Sequence, residues 1–453
     1  MAEQKARRDF GSFHASNVQE LLEQSEEEYV PPPMPFKLPT FDHIQMPVFG
    51  QQPPSEPAEL QFGKAFKEKH FLLEDDCTFL NHGAFGGVLK EALKVAQEWQ
   101  EYVERQPLRF FDRELLPHLV HVTRRLAKFV ECDPQDLVLV TNATTAINSV
   151  LRSLKFSPGD VIVCLNFTYG AVKKLLNQVC LDTGAVLKEV TITLPVSSPV
   201  QIVEAIQKAV SQERVKLAVL DHIPSNIPII LPLQQIIPVC HEHGVQVLVD
   251  GAHALGALQL DLRKLDADFY VSNAHKWFCS PKGAAFLYVR RDLKPSIHPL
   301  VISHGYGSGF NSEFIWAGLH DYSPFLALHT LLDFWKRVGV VRFRFYAYGV
   351  AKYAGDYLCA KWGTQRAATE TMFGCMTLVE LPQGLYPEEG EVNYAVAEGI
   401  QNRLYHDFNI EVPVKSAQGK LYVRVSAHLH TSYEDIHTLE KAITEMVTSP
   451  QNL

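Results

Sequence analysis

Lys276 lies in the stretch Asn273-Ala274-His275-Lys276-Trp277. Upstream, an apolar run ends in an acid, Val245-Gln246-Val247-Leu248-Val249-Asp250, and Gly251-Ala252-His253 follows it. A lone lysine is ordinarily a solvated surface charge. Placed among small and aromatic residues, it loses proton affinity and becomes a nucleophile and proton carrier. A carboxylate closing an apolar strand either caps the next helix or needs a buried cation. A lysine able to form a Schiff base, and an aspartate able to keep a pyridine nitrogen protonated, are what pyridoxal 5′-phosphate requires to draw electrons from a substrate Cα. The pair Lys276 and Asp250 therefore predicts an enzyme that uses this cofactor on an amino acid.

Other residues could complete such a site. His253 is placed to hydrogen-bond the cofactor's ring oxygen, though a helix-face histidine would look the same. Asn142-Ala143-Thr144-Thr145 follows an apolar strand and opens a helix. That arrangement aims backbone N–H groups and the helix dipole at an anion, and Thr144 and Thr145 add hydroxyl donors. A threonine is also an ordinary helix cap. Asn273 and His275 would close this phosphate cradle from the lysine turn. Tyr169, after another strand, suits stacking on the pyridine ring or simple core packing. Arg424 suits the two-pronged grip of a substrate carboxylate, or a surface ion pair.

The elements needed to position these groups are legible as apolar runs. Runs at 137–140, 161–165, 217–220, 245–249, 269–271 and 284–289 read as strands, and helical patterns alternate with the first four of them. Continuous apolar strands between helices predict an α/β fold with a mostly parallel sheet covered on both faces. In such sheets the ligand lies at the carboxyl ends of the strands. With 453 residues, more than one folded part is expected. Residues 67–332 read as the large cofactor-binding domain and 333–453 as a small α+β domain. Residues 1–66, with Pro31-Pro32-Pro33 and Pro53-Pro54, read as an extended or disordered arm. A net charge of −9 argues against nucleic acid or an anionic membrane as partner, and no apolar stretch reaches transmembrane length. Eight scattered cysteines form neither a disulfide framework nor a C-x-x-C metal motif, which points to the cytoplasm and to no structural metal.

Taken together, these motifs resemble the class V aminotransferase group of fold-type I pyridoxal-phosphate enzymes, in the branch with isopenicillin N epimerase-like proteins and hercynylcysteine sulfoxide lyases. The resemblance runs from about Phe71 to Val447. It rests on Phe79-Leu80-Asn81-His82-Gly83-Ala84-Phe85-Gly86, Thr141 to Thr145, Asp221-His222-Ile223-Pro224-Ser225, Asp250 to His253, Asn273 to Trp277, Ser303-His304-Gly305, Trp316 to Asp321 and Arg424-Val425-Ser426. It implies a seven-stranded large-domain sheet and a homodimer with its site at the subunit boundary. It also implies Lys276 as the Schiff-base residue, Asp250 at the ring nitrogen, and Asn81 and His82 at the substrate edge. Two departures stand out. Leu319 occupies a place where relatives usually carry a threonine that reaches the neighbouring subunit's phosphate. Ala427-His428-Leu429-His430-Thr431 replaces a usual Tyr-Asn pair.

The reaction is less constrained by sequence than the cofactor. Neither Cys359 nor Cys375 lies on an obvious exposed loop, so a sulfur-carrying cysteine is not supported. No second arginine for a dicarboxylate co-substrate stands out. The expected outcome is therefore Cα-proton removal followed by β-elimination, a C–S β-lyase on a cysteine derivative. The alternatives are an epimerase or racemase, with Tyr169 or His82 as the opposite-face acid, and an aminotransferase. A non-catalytic protein that retains the fold for binding is the rival from another class.

Overall fold

The structure is a computed structural model that describes residues 16–44, 62–212, 214–387 and 390–448. Its centre is a seven-stranded sheet. In chain order the strands are β1 (Leu137–Val140), β2 (Val161–Leu165), β3 (Val186–Val190), β4 (Val215–Asp221), β5 (Gln246–Asp250), β6 (Phe269–Asn273) and β7 (Ala285–Val289). In space they run β1-β7-β6-β5-β4-β2-β3. Only β7 is reversed, antiparallel to both β6 and β1.

Alternate residues of each strand enter different cores. Val163, Leu165, Ala218, Leu220, Val247 and Val249 join one apolar cluster, whereas Ile162, Cys164, Leu217, Val219 and Leu248 join another on the opposite face. With both faces covered, the strands read as unbroken apolar runs instead of alternating ones. The parallel strands bring the ends of β1, β2, β4, β5 and β6 to one edge of the sheet. Residues 142–145, Tyr169, Asp221, Asp250 and 273–276 all follow or close those strands.

A second sheet is antiparallel and three-stranded, ordered Val414–Ala417, Lys420–Ser426, Met376–Glu380. It shares a smaller apolar cluster with Leu80, Ala354, Leu358, Ile400 and Ile443. The helix Val340–Trp362 serves both clusters: Phe343, Ala347, Val350 and Ala351 pack with the large core, Ala354 and Leu358 with the small one.

The amino-terminal segment departs from an extended arm only at its start; residues 29–44, with Pro31-Pro32-Pro33, carry no helix or strand. Ser16–Glu23 is a helix that buries Val18 and Leu22 against Val120. Its carbonyl end is capped by Arg124, whose Nη1 donates to Leu21 O and Leu22 O at 3.2 Å and to Gln24 O at 2.8 Å. A cation there complements the helix dipole. Residues 1–15 and 45–61 lie outside the described residues. No helix among the described residues is long and apolar enough to cross a membrane.

Candidate active site

Lys276 lies in the turn between β6 and β7. Its Nζ is 2.9 Å from His253 Nε2, and Trp277 Nε1 donates to His253 Nδ1 at 3.2 Å. Because Nδ1 accepts, the single proton of a neutral His253 sits on Nε2 and faces the lysine amine. Burial holds His253 well below its ordinary pKa, and the Lys276 charge adds to this. Burial also lowers Lys276 to about 8, against the opposing pull of Asp250. The lysine is thus poised between amine and ammonium near neutral pH, as nucleophile and proton carrier both require.

Asp250 closes β5 and is buried. Burial raises its pKa, while an N–H bond from Ala252 to Oδ1 at 3.0 Å and the Lys276 charge hold it down. A cavity of about 150 Å³ opens beside these groups, lined also by Phe85, Asn142, Ala143, Thr144, Tyr169, Asp221, Ser225, His253, Asn273 and His275. At one end lies the start of the helix Ala143–Ser153. Asn142 Oδ1 accepts from Thr145 N–H at 2.8 Å and Asn273 Oδ1 from Ala143 N–H at 2.9 Å. Asn273 therefore ties the lysine strand to the helix start, and Thr144 between them faces the cavity. Thr145 lies one step behind, its Oγ1 3.2 Å from Thr141 Oγ1.

Pyridoxal 5′-phosphate fits this donor set. A helix start offers an anion site at one end, a buried carboxylate suits a ring cation at the other, and a lysine lies between. Asp221 Oδ2 and His275 Nδ1, both on cavity-lining residues, are buried without a hydrogen-bond partner. Buried polar atoms are rarely left so unless something else satisfies them.

Arg424 is almost wholly buried and is held by neutral groups. Its Nη1 donates to Ser225 O at 2.5 Å and Ser225 Oγ at 3.1 Å, and its Nη2 donates to Asn81 Oδ1 at 2.9 Å. Asn81 is anchored in turn by Glu411 at 2.7 Å. Burial lowers the Arg424 guanidinium to about 10, and its Nε has no partner. A buried cation held only by neutral groups is ready to donate to a carboxylate. Asn81 consequently positions Arg424.

His82 is elsewhere than expected. Its ring is fully buried behind the lysine turn, and it does not line the cavity. Its Nε2 donates to Lys276 O at 3.1 Å, and its Nδ1 accepts from His430 Nε2 at 2.9 Å. His428 stacks on it at 3.9 Å and donates from Nε2 to Trp277 O at 3.2 Å. The ring cannot reach a substrate at the cavity. It braces the backbone that carries Lys276, which corrects its assignment as an acid at the substrate edge. The 428–430 segment, legible in sequence only as a departure, supplies this brace. His82, His428 and Cys279 hold their ligand-type atoms within 4.8 Å of one another. However, both Nε2 protons are already given to carbonyls, and burial keeps the Cys279 thiol protonated. Asp221 also escaped assignment, although it carries the same signal as Asp250, an acid closing an apolar strand.

The doubly covered sheet, with a buried lysine and acid at its carboxyl edge, is the large domain of a fold-type I pyridoxal-phosphate enzyme. The chain belongs to the class-V aminotransferase family, whose pattern matches residues 88–314, and its cofactor is pyridoxal 5′-phosphate. It is 32% identical over 408 residues to a probable chloroplastic L-cysteine desulfhydrase of Arabidopsis thaliana, covering 84% of this chain and 85% of that protein. It is 28% identical over 360 residues to an isopenicillin N epimerase of Amycolatopsis lactamdurans, covering 75% and 88%. Among solved structures it resembles the cystine C–S lyase C-DES bound to its product cysteine persulfide. The TM-score is 0.70 at 22% identity, over 82% of this chain and 98% of that one.

Proposed function

We propose that this enzyme is a C–S β-lyase that cleaves L-cysteine or an S-substituted cysteine. With water, the substrate yields pyruvate, ammonia and a thiol, or hydrogen sulfide when the substrate is cysteine itself. The observation that carries the reading is the buried Lys276 amine, held near a pKa of 8 beside a buried acid, with the acid-free Arg424 guanidinium bonded to Ser225 of the cavity wall. Bound cofactor supplies the electron sink that makes the Cα proton acidic. Lys276 takes that proton and can return it to the departing sulfur. Asp250 would hold the ring nitrogen protonated, His253 would hydrogen-bond the ring oxygen, and Tyr169 would cover the ring face. Thr144, Asn273 and His275, with Thr145 one step behind, would hold the phosphate, and Arg424, steadied by Asn81, would orient the substrate carboxylate.

Epimerisation would need a second acid on the opposite face. With His82 turned away, Tyr169 alone of the two candidates lines the cavity. Elimination is favoured over sulfur transfer because, among the described residues, no cysteine lines the cavity to receive the sulfur. We further place the enzyme in the cytoplasm, consistent with its unpaired cysteines, as a homodimer whose site is completed at the subunit boundary. Holoenzyme incubated with L-cysteine and S-alkyl cysteines should release pyruvate and ammonia in equal amounts. Deuterium uptake at Cα with inversion, and no pyruvate, would overturn the lyase reading in favour of the epimerase.

A further inference from the structure

We propose that Asp221 is a positioning residue for the cofactor's ring nitrogen: it keeps one proton beside Asp250, so that the two carboxyls present a single negative charge to the cavity. The inference rests on the pyridoxal-phosphate reading of the site and goes beyond it in assigning a second acid.

Asp221 and Asp250 close adjacent parallel strands and are direct register partners, Asp221 opposite Asp250. Both line the same cavity, and both are buried. Two neighbouring carboxyls out of water do not both ionise; one takes a proton. Their surroundings decide which. Asp250 has the Ala252 N–H on Oδ1 and the Lys276 cation beside it. The Thr168 hydroxyl and the Tyr169 N–H pull the Asp221 pKa down, but its Oδ2 is buried with no hydrogen-bond partner in the protein. Burial and the Asp250 charge together push the Asp221 carboxyl far above the usual carboxylate range. The other titratable groups that face the pair are Cys164 from β2, Tyr270 from β6 and Lys276 from the following turn. Burial keeps the Cys164 thiol and the Tyr270 phenol protonated, so neither competes for the charge.

A single charge has a chemical consequence. One carboxylate is enough to hold a pyridinium. A second would over-stabilise it and hold a proton on the nearby lysine nitrogen as well.

The test uses three readouts. In the cofactor-free wild-type protein at pH 8, infrared spectroscopy should show the carbonyl stretch of an un-ionised carboxylic acid, and that band should vanish in Asp221→Asn. A proton held only in the folded state stabilises below the unfolded pKa of about 4, and the benefit is lost as pH rises through the raised folded value. The melting temperature of the cofactor-free wild type should therefore fall between pH 5 and 8 more steeply than that of Asp221→Asn. In the holoenzyme, Asp221→Asn, which is neutral and of the same shape, should keep the Schiff-base absorbance and move its titration midpoint by less than half a pH unit. A midpoint shift of a unit or more would overturn the proposal by showing an ionised Asp221. Equally, wild-type protein without the acid band overturns it, even if the variant fails to fold. Failure of the wild type to form any coloured complex would instead strike at the cofactor reading, leaving the infrared result to judge the pair alone.

Discussion

At residue 276 the physics is that of an amine denied water. A lysine in solution titrates near 10.4, whereas burial brings Lys276 to about 8. Only the neutral amine attacks an aldehyde, so capture of pyridoxal 5′-phosphate by the cofactor-free protein should accelerate with pH and level off above about 8. Stopped-flow absorbance would show this, and a midpoint above 10 would mean that the lysine is solvated. Lys276→Ala removes nucleophile and proton carrier together. It should lower pyruvate release by about 10³-fold or more, since proton transfer alone contributes roughly 10²–10⁴-fold. Arg424→Lys keeps the charge but loses the fork. It should raise KM by about ten- to a hundredfold, the size of one charge-assisted hydrogen bond of ~1.5–3 kcal/mol, with a smaller effect on kcat. If kcat fell instead with KM unchanged, Arg424 would act on the transition state and not on the substrate carboxylate. Lys276 and Asp250 were legible in sequence because their signals are local: an acid closing an apolar strand, a lysine in a short polar turn. His82 was not. Its direction is set by His430, 348 residues away, and no spacing rule reaches that far.

The elements that hold the lysine turn in place are themselves under tight steric control. Gly86 has φ +70°, and a Cβ there would lie 2.1 Å from His275 O and 2.8 Å from Lys276 Cα. Gly86→Ala must therefore displace the backbone carrying Lys276. It should cost about 2 kcal/mol or more in stability and lower cofactor occupancy. Gly170→Ala, where a Cβ meets nothing within 4 Å, is the matched control and should change neither. Thermal melts and the absorbance of purified protein measure both. The same scale shows where sequence patterns fall short. The apolar period gave the strands of the large sheet, except β3, whose Val186–Val190 is half exposed and mixed with Lys188 and Glu189. It could not show that β7 is reversed, because a strand buried on both faces reads alike in either direction. The helical stretch from about 326 to 357 also reads as continuous. It is broken at Gly339, φ +84°, between Leu328–Val338 and Val340–Trp362, where the chain turns from one helix into the next.

The whole molecule carries large apolar side chains that its own fold leaves uncovered. Leu300, Val301, Ile302 and Tyr306 leave large apolar surfaces exposed on one loop, and Leu319 is 70% exposed. Phe85, at the cavity, is 76% exposed. Soluble monomers seldom present such clustered apolar side chains, and they commonly mark an association surface. A homodimer that covers them would, as the family resemblance implies, bring the 316–321 segment of one subunit to the phosphate end of the other, at a place where that resemblance implies a threonine and this chain has Leu319. Restoring the hydroxyl with Leu319→Thr should then tighten cofactor binding by about 1 kcal/mol, roughly fivefold, the net value of one hydrogen bond. Equilibrium dialysis measures the affinity, and sedimentation velocity should show two chains for wild type and variant alike. The effect should disappear when Ile302→Glu, a charge in the exposed loop, splits the dimer. An affinity gain that persists in the monomer would locate the hydroxyl in its own subunit, and an unchanged affinity in the dimer would mean that segment 316–321 does not reach the phosphate.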